Sequence, residues 1–181
     1  MTGAMELADT IRQLGALIAR CPDRAFFDGP ASEADIAKTE AAIGRALPDA
    51  YKQFLRAHNG GFIAQEAVTE RDEATLDTEA WNANHLLGCD AIRHEYRDAF
   101  LIARDVEPDL GDWPFIPFCQ TEGQETLVFG PPGPDGIAPV LDAFHEVGAD
   151  EWGVLAPGFH VFLNRYVDTE GFPETIALTN G

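Results

Sequence analysis

Apolar residues recur at helical spacing through the first third of the chain. Leu7, Ile11, Leu14, Leu17 and Ile18 form one stripe that stops at Cys21-Pro22, because a residue before proline is pushed out of the α region. The spacing predicts a first helix over about residues 4–20. After a loop, DRAFFDGPA, Ser32 stands three residues before Asp35, a near capping box. Glu33 and Asp35 favour the positive end of the helix dipole. Ile36 and Ile43 share a face of this second helix, and Gly44 suits its end. Pro48 suits the first position of a third helix, in which Tyr51, Phe54, Leu55 and His58 fall at i, i+3, i+4 and i+7. Asn59-Gly60-Gly61 tolerates positive φ and turns the chain into a first strand, Gly61 to Ala64.

The pattern then changes. Residues 65–80 are acidic and poorly periodic, an exposed loop or a short solvated helix. Ile92, Tyr96, Phe100 and Ala103 return to helical spacing. PFIPFC, ETLVFG and IAPVLDAF are short apolar runs separated by turn formers at Thr121 to Gln124 and in GPPGPDG, which reads as a rigid hairpin loop. A closing helix from Pro157 would place Phe159, Phe162, Leu163 and Tyr166 on one face. Helices first, strands next and a helix last is an α+β order with no βαβ alternation. The expected architecture is a single, mostly antiparallel sheet flanked by N-terminal helices and a C-terminal helix, in one domain over residues 1–181.

Charge adds an asymmetry. The net charge is −19, yet residues 1–60 carry 7 basic and 8 acidic side chains, and residues 61–104 carry 4 and 9. Residues 105–181 carry 14 acids and a single cation, Arg165. Such a field repels nucleic acid and anionic lipid and steers a basic partner. Acidic residues also serve solubility, but the imbalance between halves favours a face over a uniform coat. The densest acidic segment, DVEPDLGDW, reads as a loop with Asp105, Glu107, Asp109 and Asp112, followed by Trp113 as a core residue or an interface anchor. No apolar run reaches the length of a membrane span, and the N-terminus lacks the pattern of a secretory signal, so a soluble cytoplasmic protein is expected.

The residues for several chemistries are missing or better used elsewhere. Ser32, the only serine, is explained as a helix cap and lies in no GxSxG. Neither phosphate-binding glycine signature occurs. Three cysteines, at 21, 89 and 119, form no CxxC pair and read as reduced, buried thiols. His85 and Cys89 could share a zinc ion if helical, but two ligands do not make a site. The acidic segment lacks the EF-hand pattern, and no cofactor or metal is expected. His58, on an apolar stripe, reads as a half-buried core ring.

The run SEADIAKTEAAIGRALPDAYKQFLRAHNGG resembles the signature of the SUKH superfamily, the Smi/Knr-like cell-wall-assembly-regulator family. Leu47, Pro48, Tyr51, Phe54, Leu55, Asn59, Gly60 and Gly61 match position by position. PFIPFCQTEGQETLVF and VLAPGFHVFLNRYV resemble the family's strand pair and closing helix more loosely, so the resemblance spans about residues 32–167. Gln124-Glu125 stand where the family often has Gly-Asp, and Pro157-Gly158 replace the usual Asp-Ser. The resemblance implies an α+β domain. It also implies an immunity protein, which binds and neutralises a cognate secreted toxin, often a nuclease. It carries over no catalytic residue. Combined with the charge, it leads to a non-enzymatic binder whose acidic half covers a basic toxin surface, through Asp105, Glu107, Asp109, Asp112, Glu122 and Glu125. The alternatives are a regulatory or scaffolding module that binds a protein unrelated to toxins, and a small enzyme whose site the sequence does not reveal.

Overall fold

The structure is a computed structural model, and it describes residues 2–109 and 111–173. Its six helices and seven strands follow in the order α1 (Thr2–Arg20), β1 (Ala25–Phe27), α2 (Glu33–Ile43), α3 (Asp49–Ala57), β2 (Gly61–Ile63), α4 (Glu73–Trp81), β3 (His85–Leu86), α5 (Cys89–Val106), β4 (Ile116–Gln120), β5 (Thr126–Phe129), β6 (Val140–Ala143), β7 (Val154–Ala156) and α6 (Phe159–Asp168). The strands form one sheet in sequence order, every neighbour antiparallel, with helices flanking it. This is the expected α+β architecture.

Local chemistry explains most element ends. Ser32 Oγ accepts from the Asp35 backbone N–H at 3.1 Å, and Gly44 closes α2 at φ 70°. Pro48 sits one residue earlier than expected, at the N-cap of α3, where its carbonyl accepts from Tyr51 and Lys52 N–H. At the end of α3, Gly60 adopts φ 87°, and a Cβ there would strike the backbone of Leu86 and Gly88. The neighbouring Asn59 side chain accepts from Cys89 N–H at 2.8 Å, capping α5 from across the sequence. One turn therefore fixes both the entry to β2 and the start of α5.

The core forms where α3 and α6 meet the sheet. Tyr51 contacts Phe118, Phe129 and Phe159 edge to face, and Phe118 stacks on Phe129 with centroids 4.1 Å apart. Tyr51 is fully buried, and its hydroxyl donates to the Leu87 and Phe118 carbonyls at 2.6 and 3.1 Å, so no polar atom is stranded. Tyr166 does the same with Asn84 O at 3.0 Å. α1 packs its Leu7, Leu14 and Leu17 stripe into this core, and Thr10 bonds Asn164 of α6.

Three further readings of the sequence need correction. The segment taken as the loop DRAFFDGPA contains β1, which pairs Phe26 with Phe62. Residues 154–156 form β7, and the last helix starts at Phe159 rather than at Pro157. α5 runs to Val106, so Asp105 is helical rather than in a loop; the helix stops where Glu107, preceding Pro108, takes φ −129° and ψ 86°. Residues 73–81 form the solvated helix, with no buried residue and Asp72 as its cap.

Candidate protein-binding surface

The sheet register decides which acidic residues meet. Gln120 pairs with Thr126 and Thr126 with Ala143, so the β4–β5 turn and the β6–β7 loop share one end of the sheet. Glu125 reaches across to the loop: its carboxylate accepts from His145 Nδ1 at 2.9 Å and faces His145 N–H at 3.4 Å. That contact holds the His145 ring above its ordinary pKa. Asp142, close by, is also pushed up, first by burial and then by the Glu125 charge. Glu122 faces a polar cavity lined by Gln65, Glu66, Glu79 and Asn82, and its backbone N–H is held by Asn84 Oδ1 at 3.3 Å.

The other four expected residues lie elsewhere. Asp105 and Glu107 are exposed at the C-terminus of α5, with Asp109 and Asp112 in the segment leading to β4. Asp112 is engaged by Arg45 at 2.5 Å. The five residues of β4 span roughly 13 Å between this group and Glu122. The six residues therefore form two groups at opposite ends of β4 rather than one face.

The structure adds residues that sequence reasoning passed over. The β6–β7 loop carries Glu146, Asp150 and Glu151, all exposed, between the exposed Phe144 and the half-buried Trp152. The Trp152 indole N–H donates to Phe144 O at 3.3 Å, which closes the loop. Trp152 also meets Phe115 edge to face at 4.9 Å and Trp113 at 6.1 Å. Trp113, read as either a core residue or an interface anchor, is half-buried in this aromatic cluster. The signal was available as four acids in DAFHEVGADEW with no Lys or Arg, but the contact with Glu125 depends on strand pairing.

Thirteen carboxylates lie between Asp105 and Pro173. Asp112 and Glu170 reach arginines of the first half, Glu125 reaches His145, and the other ten have no ion-pair partner among the described residues.

The residues weighed for other chemistry have structural duties. Burial pushes the Cys119 and Cys89 thiols up, away from the reactive thiolate, while Cys21 is only half-buried. His85 lies on β3 and Cys89 begins α5, so the two do not share a helical turn. Burial lowers the pKa of His58, whose ring packs against Phe27 at 5.6 Å. No described helix is long and apolar enough to cross a membrane.

The model of the SMI1 / KNR4 family (SUKH-1) matches residues 30–165. The chain belongs to this family. No curated protein matches it in sequence. Membership of SUKH-1 supports a protein-binding role. The SUKH-1 signature positions Leu47, Tyr51, Phe54 and Leu55 are all buried, and Asn59 and Gly60 build the turn under α5, so the signature specifies the fold. Partner choice is left to the surface.

Proposed function

We propose that this SUKH-1 protein is an immunity protein that binds and neutralises a cognate toxin whose nucleic-acid-binding surface is basic. The observation carrying the proposal is the set of ten carboxylates in the second half without an ion-pair partner among the described residues. Charges that neutralise nothing within the chain remain available to attract a cationic surface. Such steering raises association rates toward about 10⁸ M⁻¹s⁻¹ at low salt, which favours capture before a toxin acts. Glu122 and Glu125 belong to the end of the sheet where five of these ten groups gather, Glu122 itself among them. Asp105, Glu107, Asp109 and Asp112 form a second acidic group beside α5. A standard interface of about 800 Å² per partner needs only one of the two. The interaction is binding rather than catalysis, in the cytoplasm, with no cofactor.

A tagged form of the whole protein, incubated with extract of its native cells and washed at low and then high salt, tests this reading. One basic toxin domain should be retained and then released by salt. Retention of housekeeping proteins instead would overturn the toxin assignment in favour of a regulatory or scaffolding module.

A further inference from the structure

Acidic and exposed apolar side chains also meet at the end of α5, around Leu101, Ile102 and Val106, but with Arg97 and Arg104 among them; the β6–β7 hairpin combines the two features without a cation of that kind. Between Asp142 and Val154 it carries four carboxylates, Asp142, Glu146, Asp150 and Glu151, and no Lys or Arg. Its one histidine is engaged by Glu125. Among these charges stand three apolar side chains: Phe144 is 37% exposed, Val154 is 65% exposed, and Trp152 is half-buried. Single exposed apolar residues are ordinary on a protein surface, but three on one short hairpin make a patch. Trp152 is pre-organised, because its indole N–H is held by Phe144 O and its ring is braced by Phe115. An aromatic ring fixed in advance loses little entropy on binding, and tryptophan is enriched among the residues that dominate interface energies.

We propose that this hairpin is the anchor of the docking surface, and that it takes a basic protein segment whose cations alternate with apolar or aromatic side chains. The cations meet the hairpin carboxylates while the apolar side chains cover Trp152 and Val154. Charge complementarity selects the cations; the exposed apolar groups demand a partner that also removes them from water. Asp142 and Glu125 crowd each other, and an approaching cation relieves that repulsion. β7 is an edge strand, but Arg165 already donates to its Leu155 carbonyl at 2.7 Å. The partner therefore docks on side chains rather than adding a strand. This inference rests on the protein-binding reading and does not require the partner to be a toxin.

The test uses the full chain and two synthetic peptides of equal length and charge, one alternating lysine with tyrosine and the other lysine with serine. Both should bind at low salt through charge. Near physiological salt, where the Debye length falls to about 8 Å, the lysine–tyrosine peptide should bind at least about tenfold tighter than the lysine–serine peptide. Trp152→Ala and Val154→Ser should each reduce that preference several-fold. Ile102→Ser on α5, where the residue is also 65% exposed, should leave it unchanged. If Trp152→Ala fails to fold, the comparison of Val154→Ser with Ile102→Ser decides. Equal affinity for the two peptides, or equal loss in the two serine variants, overturns the anchor. Recovery of a basic toxin without peptide preference would refute this inference alone. Peptide preference with no toxin recovered would refute the toxin assignment alone.

Discussion

The two halves of the chain use their charges differently. Up to Arg104 there are 11 cations, and helical spacing brings several to carboxylates nearby in sequence: Arg12 to Asp9, Lys52 to Asp49 and Arg93 to Asp90, each three residues apart. Others join elements, as Arg56 to Glu33 and Lys52 to Glu40, or reach into the second half, as Arg45 to Asp112 and Arg24 to Glu170. Beyond Arg104 the single cation, Arg165, caps the edge of β7. Exposed ion pairs contribute little to stability, so the difference between halves is chiefly one of electric field. Both halves build the core, but residues 1–104 carry a net charge of −6 and residues 105–181 one of −13, so the halves differ in field rather than in their share of the scaffold.

Several substitutions would break or sharpen this division. The largest effect belongs to the scaffold. Tyr51→Ala removes a ring packed against three phenylalanines and takes the hydroxyl donor from the buried Leu87 carbonyl, and should cost about 3–5 kcal/mol in denaturant unfolding. A loss below about 1 kcal/mol would show that the core is not organised around it.

Next, reversing Glu125, Glu146 and Glu151 to lysine should slow association with the lysine–tyrosine peptide by roughly ten- to a hundredfold at low salt. The same charge change at the exposed Glu70, Glu73 and Asp77, around α4, should have a much smaller effect. Equal slowing would mean that net charge alone matters and that the halves are equivalent.

Removing the α2 cap by Ser32→Ala should cost about 1 kcal/mol and leave peptide binding unchanged. The smallest effect concerns pH. His145 should titrate above its ordinary value and return toward it in Glu125→Gln, followed by NMR. Because the folded value is raised, the pair's contribution is fully present below the ordinary histidine range and is lost as pH rises through the folded value. Asp142 has the same sign: its raised pKa, caused first by burial and then by the Glu125 charge, means that stability is lost as pH rises through the carboxylate range to the folded value, so Asp142→Asn should not destabilise the neutral-pH fold.

What the sequence revealed follows from the range of the forces involved. α3 was legible because four residues repeat on one helical face and two glycines follow. β4, β5 and β6 were legible as apolar runs between turn formers. β1 and β3, three and two residues long, exist only because β2 and β4 offer them partners, and no local pattern announces that. The acidic segment from Asp105 read as a loop by composition, yet the helix continues to Val106, where Pro108 constrains Glu107. The binding surface was legible in sign but not in place. Glu125 and Glu146 are 21 positions apart, and only the pairing of β5 with β6 brings their neighbourhoods together.

The most direct measurement is recovery of the native partner by the wild-type protein and by the two charge-reversed variants, washed through increasing salt. The account predicts that the wild type and the α4 variant retain one basic toxin domain until salt releases it, and that the Glu125, Glu146 and Glu151 variant does not retain it. Equal retention by all three forms, or a retained partner without basic character, would contradict the claim that the acidic second half is the binding face.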